Sequence, residues 1–254
     1  MSVTAARSLG AEHPRARVGR TDRLAATTAG VLFIVGTLSG LLSKVTLAGV
    51  SGAADPLNEA ADHSGAVVTS ALLVLVMGLS LALIPVVLFP VLRRIDEVLA
   101  VGYLVVRGAI ETACYIVVAV GWLLLEPLHG VMSAGSQTAS ARLGDVLIDA
   151  DGINGVLALG FCLGAAIFYV LLYRSRIVPR WIAGWGLGAI PLYLAGGLLG
   201  LYGVIGTDSA GANLLSAPLA LQEMVLAVWM IARGFRPADR LTPRRADDLD
   251  LEPT

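Results

Sequence analysis

The chain is organised around six long apolar stretches separated by shorter polar segments. A helix that crosses the hydrocarbon core of a bilayer needs about 20 consecutive apolar residues, and each stretch reaches that length. The stretches are Leu24–Ser43, Ala66–Leu92, Val98–Leu125, Ile153–Tyr173, Trp181–Ile205 and Ala212–Phe235. This pattern predicts an all-α fold, a polytopic membrane bundle of six transmembrane helices.

The two ends of the chain differ from this apolar middle. Residues 1–22 and 237–254 are polar and rich in arginine, aspartate or proline. Segments of that composition cannot bury enough apolar surface to fold by themselves. We therefore expect a six-helix transmembrane domain at residues 23–236, with a disordered basic tail before it and a disordered tail after it.

Composition favours the membrane class over a soluble domain. Hydrophobic residues make up 56% of the 254 residues and charged residues 15%, whereas soluble domains average about 25% charged residues. The sequence has no basic patch interleaved with aromatic residues, which argues against a nucleic-acid partner. The expected surroundings of the chain are the lipid bilayer.

Basic residues are distributed unequally between the two sides of the predicted bundle. Of the 18 lysines and arginines, Lys44 and Arg142 fall on one side and Arg107 falls within a span. All the others lie before the first span, at or after the end of the sixth, or in the second–third and fourth–fifth connections. Because cytoplasmic segments carry an excess of Lys and Arg, both termini are predicted to be cytoplasmic, in a multi-pass protein of a bacterial inner membrane.

Two of the predicted spans contain polar residues near their centres. In the third span, helix periodicity places four residues on one face: Tyr103, Arg107, Glu111 and Tyr115. Arg107 and Glu111 are separated by one helical turn and can interact. The sixth span carries Gln222 and Glu223 at a comparable depth. We expect these six residues to form a buried polar network.

The charges of this network do not balance. One arginine faces two glutamates, and a charge at the bilayer centre costs about 3 kcal/mol on insertion scales. Three outcomes are open: one glutamate is protonated, a cation binds, or the two glutamates face separate environments. The first two outcomes would make a proton or ion site.

Three classes of function follow from these residues. The first is proton- or ion-linked transport through the network. The second is a structural subunit, in which the charges lock helices together and the bundle contacts other membrane proteins or a second copy of itself. The third, a metal-dependent membrane enzyme, has only weak candidate ligands in the outer loops, namely His63, Glu126 and His129. Because Pro127 distorts the helix between Glu126 and His129 and no catalytic motif accompanies them, we expect no cofactor and lean away from an enzyme.

Two local patterns predict packing outside the network. G-x-x-x-G pairs, which let helices approach closely in lipid, occur at Gly36/Gly40, Gly160/Gly164, Gly184/Gly188 and Gly196/Gly200. They favour contacts within the chain over a dimer interface. The segment Ser140–Ile148 has apolar residues at helical spacing and predicts a short helix before the fourth span.

Three segments resemble a known family. They are YRSRIVPRWIAGWGLGAIPL at 173–192, LQEMVLAVWMIARGF at 221–235 and RGAIE at 107–111. They are similar to the bacterial six-span membrane family DUF4386, over about Leu24 to Phe235. The resemblance implies a six-helix fold and a shared pattern that includes Arg107, Glu111, Gln222 and Glu223. It implies no activity.

Overall fold

The computed structural model describes residues 14–132, 137–149, 151–206 and 209–236. Every regular element in those ranges is helical. The α-helices are α1 (Pro14–Ser51), α2 (Pro56–Asp62), α3 (Ser64–Leu92), α4 (Glu97–Val105), α5 (Thr112–Leu123), α6 (Leu125–Met132), α7 (Gln137–Asp149), α8 (Asp151–Ser175), α9 (Arg180–Leu201) and α10 (Ala210–Arg233), with a π-helical segment at Val106–Glu111 between α4 and α5. Residues 1–13 and 237–254 of the predicted tails lie outside the described residues. Residues 14–22 are the start of α1, so the predicted boundary at residue 23 falls within a helix.

Six helical segments are long and apolar enough to cross a membrane. They are Gly19–Ser51, Ser64–Leu92, Glu97–Val131, Gly155–Ser175, Arg180–Leu201 and Ala210–Arg233, numbered below as the first to sixth spans. The predicted all-α fold and the count of six spans are confirmed, and the protein is a multi-pass membrane protein.

Several span boundaries differ from those predicted, and two of the differences have a clear physical cause. The first span continues past Ser43 because Leu47 and Val50 are buried in a second hydrophobic cluster beyond it. The fifth span stops at Leu201 instead of Ile205. There the chain turns at Gly203, whose φ of 66° suits glycine and whose N–H donates to the carbonyl of Gly200 at 2.8 Å.

Side-chain caps set the start of two spans. The carboxylate of Asp96 accepts a hydrogen bond from the backbone N–H of Leu99 at 3.1 Å, at the start of α4. The hydroxyl of Ser209 accepts one from the N–H of Ala212 at 3.2 Å, at the start of α10. Both satisfy N–H groups that a helix leaves unpaired in its first turn.

The spans pack in chain order into a closed bundle, in which the fourth span is the most buried. Each span packs against its neighbours in sequence, and the first packs against the sixth. The buried share of the most apolar stretch is 56% for the fourth span and 28–33% for the other five spans. Phe168 of the fourth span stacks on Tyr103 of the third span, with ring centroids 4.8 Å apart, and on Phe33 of the first span at 6.4 Å. Aromatic side chains from three spans therefore fill the centre of the bundle.

Glycines allow the close approach that the sequence predicted. A Cβ atom at Gly36 would lie 3.2 Å from the side chain of Leu81, and one at Gly40 would overlap the side chain of Met77, both on the second span. Gly188 differs, because no atom of the described chain lies within 4 Å of the position of its Cβ. The pairs thus pack within the bundle, with Gly188 as an exception.

A layer of short helices covers one end of the first three spans. The predicted helix at Ser140–Ile148 is present as α7, where a Cβ at Gly144 would lie 2.9 Å from the backbone nitrogen of Leu57 in α2. Leu57, Trp122 and Leu125 are buried in the apolar cluster of this layer. The first and third spans extend into it, which accounts for their length.

Candidate functional site

The third span changes its helical geometry at the predicted network. In an α-helix a four-residue step overshoots one turn by about 40°, so a uniform α-helix would separate Tyr103 and Tyr115 by about 120° around its axis. The structure contains a π-helical segment, Val106–Glu111, between them. A π turn takes up one extra residue and turns the register back by about 100°. The prediction of a plain α-helical stripe was wrong in this respect, and the π segment is what returns the four residues to one face.

Arg107 is the centre of the network. Its Nη1 lies 3.6 Å from Oε2 of Glu111, and its Nη2 lies 3.5 Å from Oε1 of Glu223. The side chains of Arg107 and Glu111 are 2% and 0% exposed, and that of Glu223 is 14% exposed. One guanidinium therefore faces two carboxylates, from the third and the sixth spans, inside the bundle.

Aromatic rings fix the guanidinium in place. Its central carbon lies 5.6 Å from the ring centroid of Phe33 in the first span and 4.9 Å from that of Phe161 in the fourth. Gly164 of the fourth span lets the backbones approach, since a Cβ there would lie 3.5 Å from Cβ of Arg107. Cation–π attraction is strongest where the cation is desolvated. Neither phenylalanine was predicted, because nothing in an apolar run distinguishes a ring beside a cation from one in lipid.

Glu111 has a second partner on its own helix. Its Oε1 accepts a hydrogen bond from the hydroxyl of Tyr115 at 3.2 Å. Tyr115 in turn packs against the second span, where a Cβ at Gly78 would lie 3.0 Å from Cβ of Tyr115. The Glu111 carboxylate is thus held from one side by Tyr115 and approached from the other by Arg107.

Gln222 belongs to a neighbouring cluster. Its Oε1 accepts a hydrogen bond from the hydroxyl of Tyr169 at 2.6 Å, and its Nε2 donates to the carbonyl of Ile182 at 3.0 Å. These bonds join the sixth span to the fourth and the fifth, and Gln222 is fully buried. In the described part of the chain, the side chain of Gln222 forms its hydrogen bonds with Tyr169 and Ile182 and not with Arg107. Tyr169 was not predicted, because a tyrosine inside an apolar run gives no sign of its partner on another span.

Three polar atoms of the network are buried without a hydrogen-bond partner in the described part of the chain. They are the hydroxyl of Tyr103, Nε of Arg107 and Oε2 of Glu111. The 3.6 Å contact between Glu111 and Arg107 is an ion pair beyond ordinary hydrogen-bond distance. In the network, one guanidinium therefore faces two carboxylates, and three buried polar atoms lack a hydrogen-bond partner.

A family comparison covers this whole network. The sequence model of a family described as a domain of unknown function (DUF4386) matches residues 28–234. The chain belongs to the DUF4386 family. No curated protein and no solved structure matches it. The matched range of the DUF4386 domain contains Tyr103, Arg107, Glu111, Tyr115, Gln222 and Glu223. The resemblance of the three segments to this family is confirmed.

The candidate metal ligands predicted for this DUF4386 protein are His63, Glu126 and His129, and His63 lies at the end of α2. Nδ1 of His63 lies 3.1 Å from the carboxylate of Glu59, one turn earlier in the chain, and both side chains are exposed. Glu126 and His129 lie on α6. Over residues 14–132, 137–149, 151–206 and 209–236, no group of three or more His, Cys, Asp or Glu side chains lies close enough to hold a metal ion. The geometry thus offers no support for a metal-dependent enzyme.

Proposed function

We propose that this protein binds a proton at the centre formed by Arg107, Glu111 and Glu223, and that proton binding drives a transport or conformational step in a bacterial inner membrane. Both termini lie in the cytoplasm in this proposal. The observation that carries it is the pairing of one buried guanidinium with two carboxylates at nearly equal distances, 3.6 Å and 3.5 Å.

The surplus negative charge is the reason for a proton. Arg107 neutralises one carboxylate, and an uncompensated ion inside a membrane is costly. A bound proton removes the surplus negative charge and needs neither a cavity nor further ligands. A metal cation would have to bind beside the guanidinium, whose positive charge repels it. A neutral Glu–Arg–Glu centre with one shared proton satisfies the charge balance.

Glu223 is the carboxylate that we assign to proton exchange. Its side chain keeps 14% exposure, whereas that of Glu111 is fully buried. Glu111 also accepts a hydrogen bond from Tyr115 as well as facing Arg107. We therefore assign proton exchange to Glu223, which is the less enclosed of the two carboxylates, and the role of permanent partner of Arg107 to Glu111.

An infrared pH titration of the full chain in lipid tests this assignment. Wild type is compared with Glu111→Gln and Glu223→Gln, and Glu126→Gln is the matched control at an exposed position. The expected result is a carbonyl band of a buried carboxylic acid that titrates in wild type and in the control and disappears in Glu223→Gln. If no buried carboxyl titrates between acidic and alkaline pH, the charges of the network are fixed and the proposal fails.

A structural subunit is the alternative, and one observation favours it. The rings of Phe33 and Phe161 hold the guanidinium from two other spans, which suits a permanent lock between helices. In that case the bundle would act by contacting other membrane proteins or a second copy of itself. The same titration separates the two functions, because a lock requires charges that stay constant with pH.

A further inference from the structure

The three unpaired polar atoms lie on one face of the third span. The hydroxyl of Tyr103, Nε of Arg107 and Oε2 of Glu111 belong to residues spaced by four, and the π segment aligns those residues. All three residues are at most 2% exposed. Leaving one buried polar atom without a hydrogen-bond partner is unfavourable, and the position of three such atoms on one helix face favours a shared partner.

The direct contacts of Arg107 leave part of its hydrogen-bonding capacity unused. Its contact with Glu223 at 3.5 Å is at the outer limit of a hydrogen bond, and its contact with Glu111 at 3.6 Å lies beyond that limit. A water molecule can therefore bridge Nε of Arg107 and Oε2 of Glu111 from the side, without lying between the ion-paired atoms. The nearby walls are the rings of Phe33, Phe161 and Phe168, which offer no competing donor or acceptor.

The chemistry of the three atoms selects the bound group. Nε of Arg107 is only a donor, Oε2 of an ionised Glu111 is only an acceptor, and the hydroxyl of Tyr103 is able to donate. A metal cation cannot accept from the two donors, and an anion would be repelled by two carboxylates. One water oxygen accepts two hydrogen bonds and donates a third, within the two to four partners that buried water usually has.

We propose that a water molecule is bound at this position in the membrane interior. It accepts hydrogen bonds from Nε of Arg107 and the hydroxyl of Tyr103, and it donates one to Oε2 of Glu111. Its second hydrogen is directed away from these three atoms. The water site does not depend on whether Glu223 binds a proton, and it gives Tyr103 the role of a water ligand.

Infrared spectroscopy of the full chain in lipid, in ordinary and in ¹⁸O-labelled water, tests the site. Wild type is compared with Tyr103→Phe, which keeps the ring stacked on Phe168, and with Tyr202→Phe, a matched change at an exposed position. We expect a water O–H stretching band that shifts with ¹⁸O in wild type and Tyr202→Phe. In Tyr103→Phe that band should be lost or shifted.

Either of two spectral results overturns the water site: no isotope-sensitive band in wild type, or a band unchanged by Tyr103→Phe. If Tyr103→Phe does not fold, a wild-type structure at a resolution that shows ordered water decides, and density absent from the three atoms overturns the site. The carboxyl band of Glu223 is read from the same spectra. A titrating Glu223 without bound water would retain the proposed function and remove only this inference.

Discussion

Arg107 and Glu223 are 116 positions apart in the chain and meet inside the bundle, with Nη2 of Arg107 3.5 Å from Oε1 of Glu223. The third and the sixth spans are not neighbours in sequence, and this pair joins them across the interior. A buried ion pair contributes little net stability when intact, but removing one partner leaves an uncompensated charge. The effect of the pair on stability is therefore measured best in variants that remove one partner.

Replacement of Arg107 by leucine should destabilise the protein far more than the same change at the exposed Arg93. Arg107→Leu leaves two buried carboxyl groups without their cation, and breaking a buried pair costs about 3–5 kcal/mol. Thermal unfolding in lipid measures the difference. Adding Glu223→Gln should restore part of the loss, because it removes one of the two carboxyl groups that lack a cation. Equal unfolding temperatures for Arg107→Leu and Arg93→Leu would contradict this account.

Replacement of Gln222 by leucine should weaken the contact between the sixth span and the fourth and fifth. The change removes two buried hydrogen bonds and strands the hydroxyl of Tyr169 and the carbonyl of Ile182. Each stranded group costs about 1–3 kcal/mol. Tyr169→Phe removes one of those groups, so the double variant should lose less stability than the two single variants together. Strict additivity would show that the two side chains do not interact.

Deletion of Ala109 tests the π segment directly. Ala109 is exposed and lies within the extra turn, so its removal should turn the segment into a regular α-helix and leave the flanking helices in register. Deletion of Ile116, equally exposed but in regular α-helix, should rotate the remainder of the span by about 100° and bury the wrong face. The expression level and the unfolding temperature should be close to those of wild type after deletion of Ala109. Deletion of Ile116 should abolish the expression of folded protein. The reverse order would show that the π segment does not set the register.

Replacement of Arg23 by alanine should loosen the end of α10. Nη2 of Arg23 donates to the carbonyls of Ile231 and Ala232 at 3.0 and 3.1 Å, and so closes the bundle between its first and last helices. A cation at a helix C-terminus contributes up to about 1 kcal/mol at an exposed site. Hydrogen exchange of the amides in the last turn of α10 should become faster, whereas Arg20→Ala should leave it unchanged. Unaltered exchange in Arg23→Ala would mean that the two bonds do not hold this end.

A side chain at Gly234, which lies beside Arg23, should also destabilise the end of α10. Its φ is 66°, and a Cβ there would lie 2.8 Å from Cδ of Arg23. Gly234→Ala therefore adds backbone strain and displaces the arginine. We expect faster exchange at the end of α10 than in Arg23→Ala, measured on the same amides. An exchange rate equal to wild type would show that the positive φ is not required.

The sequence itself determined the class of the fold. Apolar runs of about 20 residues have no stable alternative to a transmembrane helix, because lipid offers no partner for a free backbone group. The same argument identified Arg107, Glu111 and Glu223, since charges inside such runs are conspicuous. Periodicity also placed Arg107 next to Glu111, because that contact is local to one helix.

Only the tertiary structure decided which residues complete the centre. The residues that complete it from other spans are Phe33, Phe161 and Tyr169. The pattern of apolar residues along the chain does not show which helices face each other. Gln222 was predicted to belong to the same buried network as Arg107, and its hydrogen bonds go to Tyr169 and Ile182. The π segment at Val106–Glu111 has no signal in hydrophobic periodicity, yet it sets the direction of Arg107. Hydrophobicity determines that a helix is buried in lipid, whereas its rotation and its partners depend on packing against the other five spans.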